Sequence, residues 1–240
     1  MTRTIFAMGG GGFTMEPENT LLDDYVLSLS GQERPRVCFV PTASGDSDAT
    51  MVRFYEAFPV TRALPSHLPL MRRQRAPEVR AHLLAQDVIY VGGGSTVNML
   101  AMWRAHGVDS ALREAWENGV VLCGVSAGSL CWYEAGVTDS YGRLAPLRDG
   151  LGLLAGSHCP HYDGEPDRRP AYQGLVAGGL PAGIAADDGV GLHYVGSSLE
   201  RIVSSREGAA AYRVSAVGGE AVEERLEAGF LGAGSPDPAA

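Results

Sequence analysis

The 240-residue chain contains no lysine; all 19 of its basic residues are arginine. That absence excludes chemistry built on a side-chain amine: a Walker-A lysine, a pyridoxal-phosphate Schiff base or a Ser–Lys dyad. Every side-chain cation must be a guanidinium, which suits a two-pronged grip on a carboxylate. Cysteine is scarce too. Cys38, Cys123, Cys131 and Cys159 form no C-x-x-C pair, and several sit in apolar runs such as Arg36–Pro41 and Val120–Gly124. Buried, reduced thiols in a cytoplasmic protein are expected, and no disulfide frame. No run of about 18 apolar residues exists, which excludes a transmembrane helix. The apolar stretch near Met1 is too short for a signal peptide and lacks a cleavage signature. The net charge of −9 argues against nucleic acid or an anionic membrane as a partner.

What is present is an ordinary globular composition, 45% hydrophobic and 20% charged, enough for one domain over residues 1–240. The final residues, 233–240, read as a frayed tail. The pattern alternates strand and helix. Thr4–Met8 reads as a strand running into Gly9–Gly12, and Met15–Leu29 has helical spacing. Arg36–Pro41 reads as a buried strand, Ala49–Phe58 as a helix, Ser66–Leu70 as a weak strand and Pro77–Leu84 as a helix opened by its proline. Asp87–Val91 is a strand entering Gly92–Gly94, and Ser95 or Thr96 caps a helix reaching His106. Asp109–Asn118 is an amphipathic helix and Gly119–Gly124 an apolar strand. Further on, Ser126–Tyr133 and Pro170–Ala177 read as helices. Leu151–Cys159 reads as a strand or loop, and Ile184–Ala186, Gly191–Val195 and Ala209–Val217 as strands. Apolar strands separated by helices imply an α/β fold, a mostly parallel sheet with helices on both faces. In such folds the site lies at the carboxyl ends of the strands, and three of those ends here carry glycine.

Gly124-Val125-Ser126-Ala127-Gly128 has the form G-x-S-x-G, between an apolar strand and helix-forming residues. A serine on such a turn projects its Oγ from the sheet, and the next amide, Ala127, points into the same space. The plain alternative is a small serine in a tight turn. A nucleophilic serine needs a base. Of the six histidines, His82 and His106 fall on helical patterns, and His67 lacks an acidic neighbour. His158 and His161, in Ser157–Asp163, end an apolar run and enter a polar loop, the expected setting of a catalytic histidine. With Cys159 they also suggest a metal, but no second cluster supplies further ligands, so neither metal nor cofactor is expected. For the acid that orients the histidine, Asp139, Asp187 and Asp188 all stand at plausible loop positions. Gly92–Gly94 and Gly9–Gly12 both fail the dinucleotide fingerprint. Close backbone approach to a substrate carbonyl, with glycine amides completing an oxyanion hole, is the better reading of Gly92–Gly94.

Val91–Thr96, Gly124–Ser129 and Cys159–Glu165, in that order and at those separations, resemble the peptidase E (aspartyl dipeptidase) family, with cyanophycinase a more distant relative. The resemblance runs to about Val195. It implies a class I glutamine-amidotransferase-like (flavodoxin-like) three-layer sandwich. It also implies hydrolysis of dipeptides with N-terminal Asp through an acyl-enzyme; separately, a monomer or homodimer is expected. Carried over, Ser126 is the nucleophile, His161 the base and Asp139 the acid, with Asp188 as alternative. Gly93 or Gly94 and the Ala127 amide form the oxyanion hole, and Arg168 or Arg169 reads the substrate carboxylate. Three rivals remain: a general serine esterase using His193, a cyanophycinase-like hydrolase, and a non-catalytic binding module of the same fold.

Overall fold

The structure is a computed structural model that describes residues 2–71 and 75–232; the tail expected at 233–240 lies outside the described residues. The first half alternates as β1 (Thr4–Met8), α1 (Gly12–Met15), α2 (Leu21–Ser28), β2 (Arg36–Val40), α3 (Asp48–Ala57), β3 (Leu64–His67), α4 (Ala76–Leu84), β4 (Val88–Val91), α5 (Thr96–His106), α6 (Val108–Glu117) and β5 (Val121–Val125). Strands β1, β5, β4, β2 and β3 lie side by side in that order, all parallel. The inner strands are apolar along their length because both faces are covered. Ile5, Ala7, Cys38, Val40, Ile89, Val91 and Leu122 pack with Val79, Leu100, Trp103 and Leu112 of α4–α6. The alternate residues Phe6, Met8, Val37, Phe39, Tyr90 and Cys123 pack with Phe13, Leu22, Val26 and Phe54 of α1–α3.

The second half contains α7 (Ala127–Leu130), β6 (Tyr133–Thr138), β7 (Ala145–Leu147), β8 (Leu154–Cys159), α8 (Arg168–Ala177), β9 (Gly183–Ala186), β10 (Val190–Val195), β11 (Ser198–Ser204), β12 (Ala210–Val217), β13 (Glu220–Glu227) and β14 (Gly229–Phe230). Here β10 returns antiparallel beside β1, and β11 and β14 extend that sheet to eight strands. The other strands form a second sheet, ordered β13-β12-β9-β8-β6-β7. Its residues Tyr133, Leu147, Leu154 and Ala211 join the core on the α4–α6 side of the first sheet. Tyr172 and Val176 of α8 cover its other face. The α/β class expected from the alternation is the class observed, and the second sheet is an addition to it.

Strands β7, β11, β13 and β14 have no counterpart in the sequence reading, and three expected segments differ from it. The helix expected over Met15–Leu29 is broken, because Pro17 disfavours helical backbone at Glu16, and α2 begins only at Leu21. The helix expected over Ser126–Tyr133 stops at Leu130, since Tyr133 starts a strand that pairs with β7 and β8. Aromatic and β-branched residues favour that pairing, and tertiary contacts decide it. The weak strand expected at Ser66–Leu70 sits earlier, at Leu64–His67, in register with Arg36–Phe39. All four cysteines are buried and free. Among the described residues no helix is long and apolar enough to cross a membrane.

Asp23 is an ionisable group inside the core between the first sheet and α1–α3. Asp23 of α2 is buried beside the hydroxyl of Tyr90, which donates to its Oδ1 at 3.3 Å. Burial raises its pKa to about 7, outweighing the opposing pull of Arg62. A carboxyl whose folded pKa lies above its unfolded value stabilises the fold below the unfolded pKa, and that contribution is lost as pH rises through the folded one. Wild type should therefore lose stability through this group between about pH 4 and pH 7. Asp23→Asn keeps the acceptor without the charge. Its melting temperature should gain on wild type as pH rises across that window, by an amount corresponding to a few kcal/mol at most. A constant gap from pH 4 to pH 8 would show that Asp23 is not held neutral.

Candidate active site

The end of β1 organises the site. Met8 C=O accepts the amide of Ser126 at 3.2 Å, and the next carbonyl, Gly9, accepts the amide of His161 at 3.2 Å. Gly10 C=O accepts the amide of Gly189, the residue after Asp188, at 3.1 Å. Three successive backbone groups thus hold the loops that follow β5, β8 and β9.

Ser126 has φ 58° and ψ −116°, outside the regions an L-residue favours, and His161 has φ 56°. Of the non-glycine residues with positive φ among those described, these are two, and Asp46 is the third. Such backbone costs on the order of 1–3 kcal/mol per residue and persists only where the surroundings enforce it. At Ser126 the two motif glycines allow the turn. A Cβ on Gly124 would lie 2.2 Å from Gly128 O, and one on Gly128 would lie 2.3 Å from Val91 O. Strand β5, α7 and the end of β4 therefore close on one another backbone to backbone. Gly93 lies against the serine: its Cβ would stand 3.2 Å from Ser126 Cβ and 3.7 Å from Oγ. Gly94 is turned the other way, onto Ala43 O.

His161 Nδ1 is 2.6 Å from Asp188 Oδ1, and both side chains are largely enclosed, 12% and 10% exposed. A carboxylate only accepts, so Nδ1 carries the hydrogen and Nε2 is left as the basic nitrogen. Burial alone would raise the Asp188 pKa, but the hydrogen bond and charge of His161, with Arg206 and Arg168, hold it below the usual carboxylate range. Arg206 stands 4.0 Å from Asp188 Oδ2 and is itself anchored on Glu16. The Asp188 amide donates to Asp163 Oδ1 at 2.7 Å. Two glycines make room for the carboxylate. A Cβ on Gly10 would lie 2.0 Å from Oδ1, and one on Gly164 would lie 2.3 Å from Oδ2. Ser126 Oγ makes no hydrogen bond among the described residues, and such a contact is commonly long until substrate binds.

Asp139, the acid implied by the resemblance, is not on His161. It follows β6, is 59% exposed, and faces Arg168 Nη2 at 3.5 Å. The reason is topological. Strand β8 has a parallel neighbour on each side, β6 and β9, so loops from both approach His161; the bridge from Gly10 to Asp188 draws the β9 loop onto the imidazole, whereas Asp139 turns away into the β6–β7 turn. Asp187 points elsewhere, its Oδ2 accepting the Ala210 amide at 3.0 Å. Arg168 is 3% exposed and paired with Glu165 at 2.6 Å, beside Asp139. Arg169 instead pairs with Glu223 and lies over the rings of Tyr162 and Tyr212. His193, the esterase candidate, bonds Tyr25 at 3.0 Å on the α2 side of the first sheet. His67 and His82 are held by Tyr55 and Ser66.

Asp163, Gly10 and Gly164 support the pair, a role that no motif in the sequence gives them. The glycine run after β1 and the glycine three residues after His161 were the available signals.

A serine on a strained elbow and a buried His–Asp pair, both hung from the end of β1 in an α/β fold, form the candidate site. The chain belongs to Peptidase family S51, whose sequence profile matches residues 5–202. It is 53% identical over 231 residues to the uncharacterized peptidase YgaJ of Bacillus subtilis (strain 168), covering 96% of this chain and 100% of that one. It is 32% identical over 132 residues to peptidase E of Shewanella denitrificans, covering 51% of this chain and 56% of that one. The crystal structure of a peptidase from an acI-B1 Actinobacterium shares the fold, with a TM-score of 0.70 at 18% identity and coverage of 95% and 96% of the two chains.

The crowding around Asp188 generates a prediction. Gly164→Ala should displace the carboxylate and lower kcat/KM for peptide hydrolysis on the order of 10- to 100-fold. Gly174→Ala in α8, where a Cβ meets open space, should leave it unchanged. Equal activity of the two variants would mean that the pair tolerates the displacement.

Proposed function

We propose that this peptidase cleaves short peptides through an acyl-enzyme on Ser126, with His161 as general base and Asp188 as the orienting acid. The observation that carries the reading is the coincidence of strained backbone at Ser126 and His161, fixed to consecutive carbonyls, with His161 bonded to a buried carboxylate at 2.6 Å. Ser126 Oγ attacks the scissile carbonyl while His161 Nε2 takes its proton. The imidazolium is stabilised by Asp188 and returns the proton to the leaving amine; water then repeats the cycle on the ester. The amide of Ala127, which follows the serine, and that of Gly93, the glycine that lies against Ser126, serve the oxyanion.

Dipeptides with N-terminal Asp are the proposed preferred class, read by Arg168 rather than Arg169. Arg168 is buried beside the site loops, and one of its two carboxylate neighbours, Asp139, is exposed and at 3.5 Å, which a substrate carboxylate can replace. Arg169 is occupied by Glu223. The proposed compartment is the cytoplasm, in keeping with four free, buried cysteines.

A panel of Asp-X, Glu-X, Asn-X and Ala-X dipeptides tests the specificity. Strict preference for Asp-X is expected, lost in Arg168→Gln; indifference to the first residue would reject it. Ser126→Ala should reduce kcat by a factor on the order of 10⁴ or more. Asp188→Asn should cost at least about 100-fold and Asp139→Asn far less. The opposite ranking of those two acids would return the orienting role to Asp139.

A further inference from the structure

His158 lies one strand-end before His161, fully buried, and the proposed chemistry does not use it. Its Nδ1 is 2.8 Å from the Ile184 carbonyl, which can only accept, so Nδ1 carries a hydrogen. Its Nε2 is 3.1 Å from Ser129 Oγ, and Ser129 Oγ is 2.8 Å from the carbonyl oxygen of Ser126. The ring is stacked on Tyr133 at 4.7 Å and 10°. Tyr133 is pinned in turn by a hydroxyl–hydroxyl bond to Tyr194 at 2.9 Å. A continuous buried chain therefore runs from β9 through His158 and Ser129 to the carbonyl of the nucleophile's own residue.

Burial, reinforced by the charges of His161 and Arg168, lowers the His158 pKa to about 4, so the ring is neutral near pH 7. Ser129 Oγ then has one hydrogen and two acceptors, Nε2 and Ser126 O. Ser126 O already accepts the amides of Ser129 and Leu130 at 3.0 and 2.9 Å. Nε2 is the acceptor still in need, and an unmet buried acceptor is costly. The hydroxyl therefore shares its one hydrogen between Nε2 and Ser126 O as a three-centre bond, which ties the second sheet to the strained turn. Its place depends on His158, and it bears on the residue whose φ of 58° aims the nucleophile.

We propose that His158 is a positioning residue that, through Ser129, sets the turn presenting Ser126 and the Ala127 amide. The inference rests on the reading of Ser126 as nucleophile. His158→Phe keeps the ring stack and removes both hydrogen bonds; Ser129→Ala removes the linking hydroxyl. Each should lower kcat, and the rate of Ser126 labelling by a fluorophosphonate, on the order of 10- to 100-fold with KM within about threefold of wild type. The double variant should be no worse than the poorer single, because the two residues act as one unit. Wild-type kcat and labelling rate in folded Ser129→Ala would overturn the proposal, as would losses that multiply in the double variant. Ser129→Ala deletes one hydroxyl and carries the test if His158→Phe does not fold. Labelling of wild type on Ser126 with unaffected variants rejects this inference alone; absence of wild-type labelling rejects the nucleophile and this inference together.

Discussion

Three backbone groups in a row, the carbonyls of Met8, Gly9 and Gly10, hold the molecule's chemistry together. The first fixes the amide of Ser126, the second that of His161, and the third that of the residue following Asp188. Hydrogen bonds to main-chain carbonyls are short-ranged and directional, so three loops from distant parts of the sequence are referred to one stretch of about 7 Å. Its second and third residues must be glycine. A Cβ at Gly9 would strike Asp187 O at 2.4 Å, and one at Gly10 would strike the Asp188 carboxylate. The glycine run that fails as a dinucleotide fingerprint is explained by crowding of protein on protein.

The site lies at the seam of two sheets. Ser126 leaves β5 of the first sheet; His161 and Asp188 leave the neighbouring strands β8 and β9 of the second. Immediately after Asp188 the chain crosses into β10 of the first sheet, antiparallel to β1. That crossing brings the acid over the end of β1, where Gly10 receives it. Strain at Ser126 and His161 survives because each is clamped on both sides by packed strands and helices, whose cooperative stability exceeds the local cost.

Electrostatics at the site is an arginine matter. Arg206 and Arg168 both favour the ionised form of Asp188, yet each is shared with another acid, Glu16 and Glu165 respectively. A guanidinium serves this double duty better than an ammonium would, since its planar fork presents donors in several directions at once. The missing lysines therefore matter less for what the fold can bind than for how rigidly each charge is held.

The alternation of apolar strands and helices, and the G-x-S-x-G turn between β5 and α7, were legible because they depend on neighbours within a few residues. A buried parallel strand needs apolar residues on both faces, and a tight elbow needs glycines two residues either side of Ser126. Ser126 and His161 could accordingly be named as candidates, and the structure puts both beside the end of β1. The choice among Asp139, Asp187 and Asp188 could not be read, because it turns on where the chain runs after each strand. Both β6 and β9 end beside β8, and it is the crossing of the chain from β9 past Gly10 into β10 that brings Asp188 to the imidazole, while the β6–β7 turn takes Asp139 to Arg168. The two adjacent arginines are separated by the rotation of about 100° between successive residues of α8, one turned to the site loops and one to Glu223. Strand pairing explains why Tyr133, helical by its local surroundings, joins a sheet. Local chemistry determined the motifs; strand pairing across the two sheets decided which charged groups meet.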